Sequence, residues 1–286
     1  MDSVKIGVIG GSGLYEIPDL KIEGEQTVET PFGAPSDAFV IGSLAGVRVA
    51  FLPRHGRGHR IPPTDLNNRA NIWGMKMLGV ERIIASGACG SFKEELPPGT
   101  IVILDQFIDR TRHRVDTFTG PGLVAHALFA DPICAELASI LYDSGKKAGA
   151  PVKMGGTYVC MEGPQFSTRA ESRLYKAWGA DVIGMTNLTE ARLAREAEIC
   201  YASLALVTDF DCWHETEASV TIEMVLAVMK KNSDTFRAII RDAIPRLSGK
   251  RYCPCAEAMR YAVITAADKI PEKIRKDLGL VLDKYK

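Results

Sequence analysis

Short apolar runs closed by small or turn-forming residues alternate along this chain with stretches whose apolar positions recur every three to four residues. Residues 5–9 are the first such run; glycines end it, and it predicts a buried strand. Residues 38–41 and 47–52 predict a hairpin across 43–46. A helical pattern over 66–78 precedes a strand at 83–86, and a further strand is predicted at 101–107. Past a loop rich in Gly, Pro and Thr, the spacing predicts a helix over 132–148, a strand over 157–161 and a helix over 170–178. A strand at 181–185, a helix at 189–196 and a strand at 199–208 come next, then a long helix over 219–244 preceded by Glu217. Beyond Ser248 the periodicity weakens, so 249–286 reads as a tail packed on the rest. Strands alternating with helices predict an α/β fold: a mixed, largely parallel central sheet flanked by helices. No repeat, low-complexity linker or like-charge block divides residues 1–286, which are expected to form a single domain.

Composition narrows this little. The 286 residues are 46% hydrophobic and 24% charged, ordinary for a soluble globular protein. Lys plus Arg and Asp plus Glu both number 35, so nothing in the balance favours nucleic acid or an anionic membrane. No apolar stretch approaches the roughly 20 residues of a membrane span, and the first ten residues lack a signal-peptide core. The seven cysteines are odd in number and mostly sit at apolar positions, as reduced thiols in a cytoplasm would. Cys253-Pro254-Cys255 stands apart, as an incidental pair or a redox element; two close cysteines lack the four ligands of a structural zinc site. With no His/Cys/Asp group at ligand spacing, no metal is expected.

Chemistry-bearing residues collect where strands end, which is where open α/β sheets place ligands. Gly10-Gly11-Ser12-Gly13 follows the first strand and is either a phosphate nest or a tight turn; it lacks the third glycine of a dinucleotide loop and the lysine of a P-loop. Residues 53–60 carry Arg54, His55, Arg57, His59 and Arg60 among glycines, suiting a dianion or a solvated basic loop. Ser86, Gly87 and Ala88 are small enough for backbone amides and a hydroxyl to approach a ligand. In 162–169, Ser167 or Thr168 can cap a helix, and Phe166 offers a face to a flat heterocycle. Thr186 can bind an anion or cap the helix after it. Asp209 and Asp211, two apart at the end of a strand, face one side together with Phe210 opposite. Alone they are a pair of solvated acids; beside the other strand ends they gain something to act on.

In order, GGSGLY (10–15), RHGRGH (54–59), GACGS (87–91), DQFIDRT (105–111), EGPQFSTRAES (162–172), GADVIGMT (179–186) and TDFDCW (208–213) closely resemble the purine nucleoside phosphorylase family. Within it the chain is similar to the members that cleave 5′-methylthioadenosine. The resemblance runs from about Lys5 to Ser248 and implies a phosphorolysis of an N-glycosidic bond. It further implies a homotrimer or a dimer of trimers, with nucleoside and inorganic phosphate as substrates and no cofactor. Position by position, Ser12, Arg54, His55, Ala88 and Thr186 would hold phosphate, with Ser86 and Gly87 beside them. Phe166 and Ser167 would line the base, Met185 the ribose, and Ile222 and Val225 the 5′-methylthio group. His126 resembles a histidine that reaches a neighbouring subunit's site.

Asp209 would protonate or hold N7 of the leaving adenine, and Asp211 would accept from the 6-amino group. Physically, cleavage leaves positive charge on the sugar and negative charge on the purine; phosphate answers the first and an acid the second. Mutual repulsion should raise the pKa of the two acids. The family's 6-oxopurine enzymes carry Asn at position 209 and His at 222, so Asp209 and Ile222 imply a 6-aminopurine with an apolar 5′-substituent. Two departures are Gly87, where animal members often have threonine, and Asn187, in place of a hydroxyl residue. The Cys-x-Cys pair resembles one that can form a disulfide in thermophilic archaeal members. An inosine or guanosine phosphorylase is the nearest rival; a nucleotide-dependent oxidoreductase has only the first glycine loop behind it, and a non-catalytic purine-binding protein would not need the acid and anion donors together.

Overall fold

Strand β5 (Arg82–Ser91) organises the sheet, because it is bordered by different strands along its two halves. The computed structural model describes residues 4–11, 17–214 and 222–285, with side chains in the last stretch described from residue 227 onward. In chain order the strands are β1 (Ile6–Gly10), β2 (Lys21–Gln26), β3 (Phe39–Leu44), β4 (Val47–Pro53), β5, β6 (Ile101–Ile103), β7 (Gln106–Arg110), β8 (Val152–Met154), β9 (Thr157–Met161), β10 (Val182–Gly184) and β11 (Cys200–Phe210). The helices are α1 (Asn68–Met77), α2 (Ala135–Lys147), α3 (Arg169–Ala177), α4 (Asn187–Glu196), α5 (Ile222–Arg246), α6 (Glu272–Asp277) and α7 (Gly279–Leu282). The sheet is mixed and mostly parallel: β1 pairs parallel with β4 and β5, and β11 runs parallel to β5 over its whole length.

On the other edge of β5 the pairing changes. β1 accompanies it only as far as Ile9↔Ala85, and β10 joins it antiparallel only from Ile183↔Gly90. Residues 86–89 therefore have no ladder on that edge, and a split opens in the sheet. Ala88 is the one partly exposed residue of an otherwise buried strand. This is a topological switch point, where a sheet leaves room for a ligand.

The helices cover the sheet by simple periodicity. On α5, Phe236, Ile239, Ile240, Ala243, Ile244 and Leu247 are all buried, a stripe spaced three and four residues apart. The same helix ties itself to β11 through Asn232, whose Nδ2 donates to Val207 O at 2.8 Å. Next to that bond β11 bulges: Val207 pairs with Cys89, but Asp209 pairs with Gly90, so Thr208 is the extra residue. Residues of the tail, Cys255, Met259, Ala262, Leu278 and Val281, belong to the main core. Trp73 of α1 is buried against Phe32 and Phe118, with ring centroids 5.6 and 4.9 Å away, and so holds the segment after β7 to the body.

Among the described residues the patterned elements lie where their periodicity places them, with ends shifted by a few residues; Glu217 and residues 219–221, where the last long helix was expected to begin, lie outside them. Four features differ. Strand β2 is exposed at all six positions, so no apolar pattern marks it; it exists because its backbone pairs with β3. Strand β8 is likewise short and mostly half-exposed. The single strand expected at 101–107 is two, since β6 pairs with β11 and β8 whereas β7 crosses to pair with β9. Most consequentially, β5 runs on through Gly87-Ala88-Cys89-Gly90-Ser91, because β11 supplies a ladder for that glycine-rich stretch.

Truncating Trp73 to alanine should lower the unfolding free energy by about 3–5 kcal/mol, read as a reduced urea midpoint at unchanged m-value.

Candidate active site

The split edge of β5 brings Gly11, the basic loop and the start of α4 to one place. A Cβ on Gly11 would lie 2.6 Å from Arg54 Nη1 and 2.7 Å from Ser86 O, so only glycine lets β1 end this close to both. Arg54 follows β4, is fully buried, and donates from Nη1 to Ser86 O at 2.7 Å, occupying a carbonyl near the split. Its other face meets Glu190 of α4, Nε to Oε1 at 2.5 Å and Nη2 to Oε2 at 3.0 Å. Burial alone would weaken the guanidinium as a base, but the Glu190 carboxylate more than offsets this and its pKa is raised. The bidentate face that the sequence offered to a dianion is thus taken by Glu190. What Arg54 retains for a ligand are the remaining N–H groups of Nη1 and Nη2.

Glu190 is fixed in turn by Tyr201 of β11, whose hydroxyl donates to Oε2 at 2.7 Å and accepts from Asn187 Nδ2 at 3.1 Å. Asn187 Oδ1 is buried with no hydrogen-bond partner among the described residues. A Cβ on Gly87 would come within 3.2 Å of this oxygen and 3.7 Å of Thr186 Oγ1. The two departures noted in the sequence, Gly87 and Asn187, therefore face each other: the missing side chain at 87 makes room for the amide at 187. Thr186 stands at the N-cap of α4 without a capping side-chain bond, which leaves its hydroxyl available at the helix N-terminus. Ser86 Oγ is a further buried atom with no protein partner.

His55 spends one of its ring nitrogens on the backbone of its own loop. Its Nδ1 lies 2.8 Å from Ile61 O, and its ring stacks on His59 at 4.3 Å. Burial, then the neighbouring Arg54 charge, lower its pKa to about 4, so it is neutral near pH 7. A carbonyl can only accept, which assigns the proton to Nδ1 and leaves Nε2 as an acceptor. In that tautomer Nε2 can receive the hydroxyl of a protonated phosphate.

The two acids share one face of the sheet. A Cβ on Gly90 would be 3.1 Å from Asp209 Oδ1 and 3.2 Å from Asp211 Cβ, so Gly90 keeps the space in which both sit. The bulged Thr208 holds Asp209, its hydroxyl donating to Oδ2 at 2.6 Å. Asp211 N donates to Ser91 O at 3.1 Å and Trp213 Nε1 donates to the same carbonyl at 2.7 Å, which turns the chain just after β11. Phe210 points away, stacked on His214. Asp211 is buried, its Oδ2 has no hydrogen-bond partner among the described residues, and its pKa is raised by that burial. Burial, rather than repulsion from Asp209, is thus what raises it. The Ser172 hydroxyl of α3 stands near enough to moderate the shift but completes no hydrogen bond of ordinary geometry.

A clamp that the sequence reading missed secures the loop between β9 and α3. The Arg114 side chain, almost wholly buried, binds Glu162 Oε1 from Nε at 3.1 Å and Glu162 O from Nη2 at 2.7 Å, and also donates to Met185 O. Thr64 Oγ1 donates to Glu162 Oε1 at 2.9 Å, and Arg112 N donates to Oε2. These donors outweigh the effect of burial and hold the Glu162 pKa down at about 2. Met185 packs on the same loop, its Sδ only 2.5 Å from where a Cβ on Gly163 would lie. Ser167 donates to Met161 Sδ and accepts from Cys212 Sγ through its carbonyl. Thr168, not Ser167, caps α3, with Glu171 completing a capping box. Phe166 is 83% exposed among the described residues. His126 is also exposed; its N–H donates to Ala262 O of the tail, and it joins none of the contacts at the split. Ser12 and the side chains of Ile222 and Val225 lie outside the described residues, although Ile222 and Val225 fall in the first turn of α5. Arg114 and Glu190 carry no motif signal, since charged residues in ordinary surroundings gave nothing to single them out; Glu162 opens the EGPQFSTRAES motif but was given no role there.

The sequence model of the Phosphorylase superfamily matches residues 5–245. The S-methyl-5′-thioadenosine phosphorylase of Geobacter sulfurreducens is 58% identical over 281 residues, covering 98% of each chain. That of Koribacter versatilis is 55% identical, covering 98% of this chain and 96% of its own. Among solved structures, a methylthioadenosine phosphorylase from an antarctic soil metagenomic library superposes with a TM-score of 0.91 at 45% identity, covering 99% of this chain and all of the other. The methylthioadenosine phosphorylase of Schistosoma mansoni in complex with adenine gives 0.83 at 37% identity, covering 98% of both. The chain belongs to the phosphorylase superfamily, in the branch of the S-methyl-5′-thioadenosine phosphorylases.

Proposed function

We propose that this enzyme cleaves 5′-methylthioadenosine with inorganic phosphate, giving adenine and 5-methylthioribose 1-phosphate. The observation that carries the reading is the placement of Asp209 and Asp211 together over Gly90, next to the stretch of β5 where Arg54, Gly87 and Thr186 converge. Anion donors lie on one side of the site and carboxylates on the other, as a bond that leaves cation-like sugar and anionic purine requires. Phosphate takes the remaining N–H groups of Arg54, the Thr186 hydroxyl and the start of α4, with its own hydroxyl donated to His55 Nε2. Asp209 supplies the acid or hydrogen bond at N7. Asp211 Oδ2, buried and without a protein partner, accepts from the 6-amino group. Phe166 and Ser167 line the base, Met185 the ribose, and Ile222 and Val225 the methylthio group. No cofactor enters the reaction.

The same reading makes the enzyme a cytoplasmic member of purine and methionine salvage that works as a homotrimer or a dimer of trimers. Exposed apolar side chains around His126, namely Val124 (50%), Leu128 (84%) and Ile264 (66%), favour assembly, and so does the exposed Phe166 ring. None of the seven cysteines is joined in a disulfide, which suits a reducing compartment. Among the described residues no helix is long and apolar enough to cross a membrane.

Mixing enzyme, phosphate and methylthioadenosine should release adenine, detected by chromatography. Equal release without phosphate would overturn the reading in favour of a hydrolase. Asp209→Asn should lower kcat/KM for adenine release by about 10²–10⁴-fold, with the KM for phosphate little changed. Its residual activity should shift toward 6-oxopurine nucleosides.

His55 yields a pH dependence with a definite sign. Its folded pKa of about 4 lies below the ordinary 6.5, so between those values the unfolded chain binds the extra proton. The stability due to neutral His55 is complete above about pH 6.5 and is lost as pH falls toward 4. Denaturant titrations from pH 7 to 4.5 should show a steeper loss in the unaltered protein than in His55→Asn.

A further inference from the structure

Four cysteines scattered over the sequence meet at the back of the fold. Cys134 stands at the N-cap of α2, Cys200 opens β11, and Cys253 and Cys255 flank Pro254 in the tail. Their sulfurs all lie within 4.8 Å of one another, and three of the four residues are buried. The sequence argument against a structural metal assumed that only the Cys-x-Cys pair could contribute. Folding adds the other two ligands, one from a helix start and one from a strand start, so that argument no longer holds.

We propose that these four cysteines bind one zinc ion as a structural tetrathiolate site that fastens the C-terminal tail to the sheet. Tetrahedral zinc with Zn–S bonds of about 2.3 Å separates its sulfurs by roughly 3.8 Å. To match, the sulfur separations change by at most about an ångström, the widest closing from no more than 4.8 Å and the 3.2 Å Cys200–Cys253 contact opening slightly. A multi-iron cluster needs more room between its thiolates than this site gives. On binding, each thiol surrenders its proton to solvent, and four thiolates around Zn²⁺ leave a net charge of −2. Two features nearby favour that charge. Arg251 Nη1 lies 3.9 Å from Cys200 Sγ, and the positive end of the 13-residue α2 begins at Cys134.

The site would act at a distance from the reaction. Downstream of Cys255 the tail pairs with the segment carrying His126: Ala125 bridges Val263, His126 N–H donates to Ala262 O at 2.8 Å, and Ile264 N–H donates to Val124 O at 2.9 Å. Fixing residues 253–255 shortens the free length of chain on which that pairing depends. Its role is positional, and it stands whether or not the proposed substrate is correct.

Elemental analysis of the full-length protein, purified reduced and without chelator, should find one zinc per chain. Replacing zinc with cobalt should produce the charge-transfer and visible d–d bands of a tetrahedral tetrathiolate. Cys253→Ser should lose the zinc while Cys160→Ala, a buried cysteine outside the cluster, keeps it. Should the serine variant fail to fold, the zinc content and cobalt spectrum of the unaltered chain decide alone. The proposal is overturned by a protein that carries iron instead, or by one without stoichiometric metal. In the latter case titration of the denatured, unreduced protein would find either all seven cysteines free or three, the remaining four being paired in disulfides.

Discussion

A buried arginine that must stay charged governs the arrangement of this site. Arg54 has no solvent to stabilise it, so the fold answers with Glu190 in a two-point contact, a strand carbonyl from Ser86, and Tyr201 behind the carboxylate. Removing one member of such a pair strands the other at a cost of about 3–5 kcal/mol. Each anchor comes from a different element: the loop after β4, helix α4, and strands β5 and β11. The pair therefore fixes how those elements meet, and what remains of the guanidinium faces the site in a single orientation.

The other constraint is that β5 changes neighbours. Where β1 leaves it and β10 has not yet joined, residues 86–89 keep their edge open, and the glycines of that strand prevent side chains from closing the space. Gly87 admits Asn187, and Gly90 admits both acids. The bulge at Thr208 then sets the height of Asp209 above the sheet. The space beside Gly87, toward Asn187 and Thr186, and the space beside Gly90, toward Asp209 and Asp211, consequently open along the same strand. The clamp from Arg114 to Glu162 and Met185 brings a third wall to them, and His55, held neutral, adds an acceptor instead of another positive charge.

Much of this was legible beforehand for reasons that can be stated residue by residue. Apolar stripes such as 236, 239, 240, 243 and 244 leave few choices besides a helix on a sheet. Small residues at strand ends mark close approach, and Asp209 and Asp211 share a face by pleat alone. Strand β2 was silent because nothing in six exposed positions reports a backbone ladder. Glu190 and Arg114 were silent because an acid on an amphipathic helix and an arginine in a basic loop look solvated until burial is known.

By itself, then, the sequence determined the order of elements, the set of motifs at their ends and the residue types available for chemistry, since periodicity and glycine placement are local properties. Tertiary structure alone decided which groups compete for one another. It gave the bidentate face of Arg54 to Glu190, the proton of His55 to Nδ1, and the raised pKa of Asp211 to burial. It also gathered Cys134, Cys200, Cys253 and Cys255 into one cluster. Each of these depends on contacts between residues far apart in the chain, and on the loss of water around them, which no local spacing records.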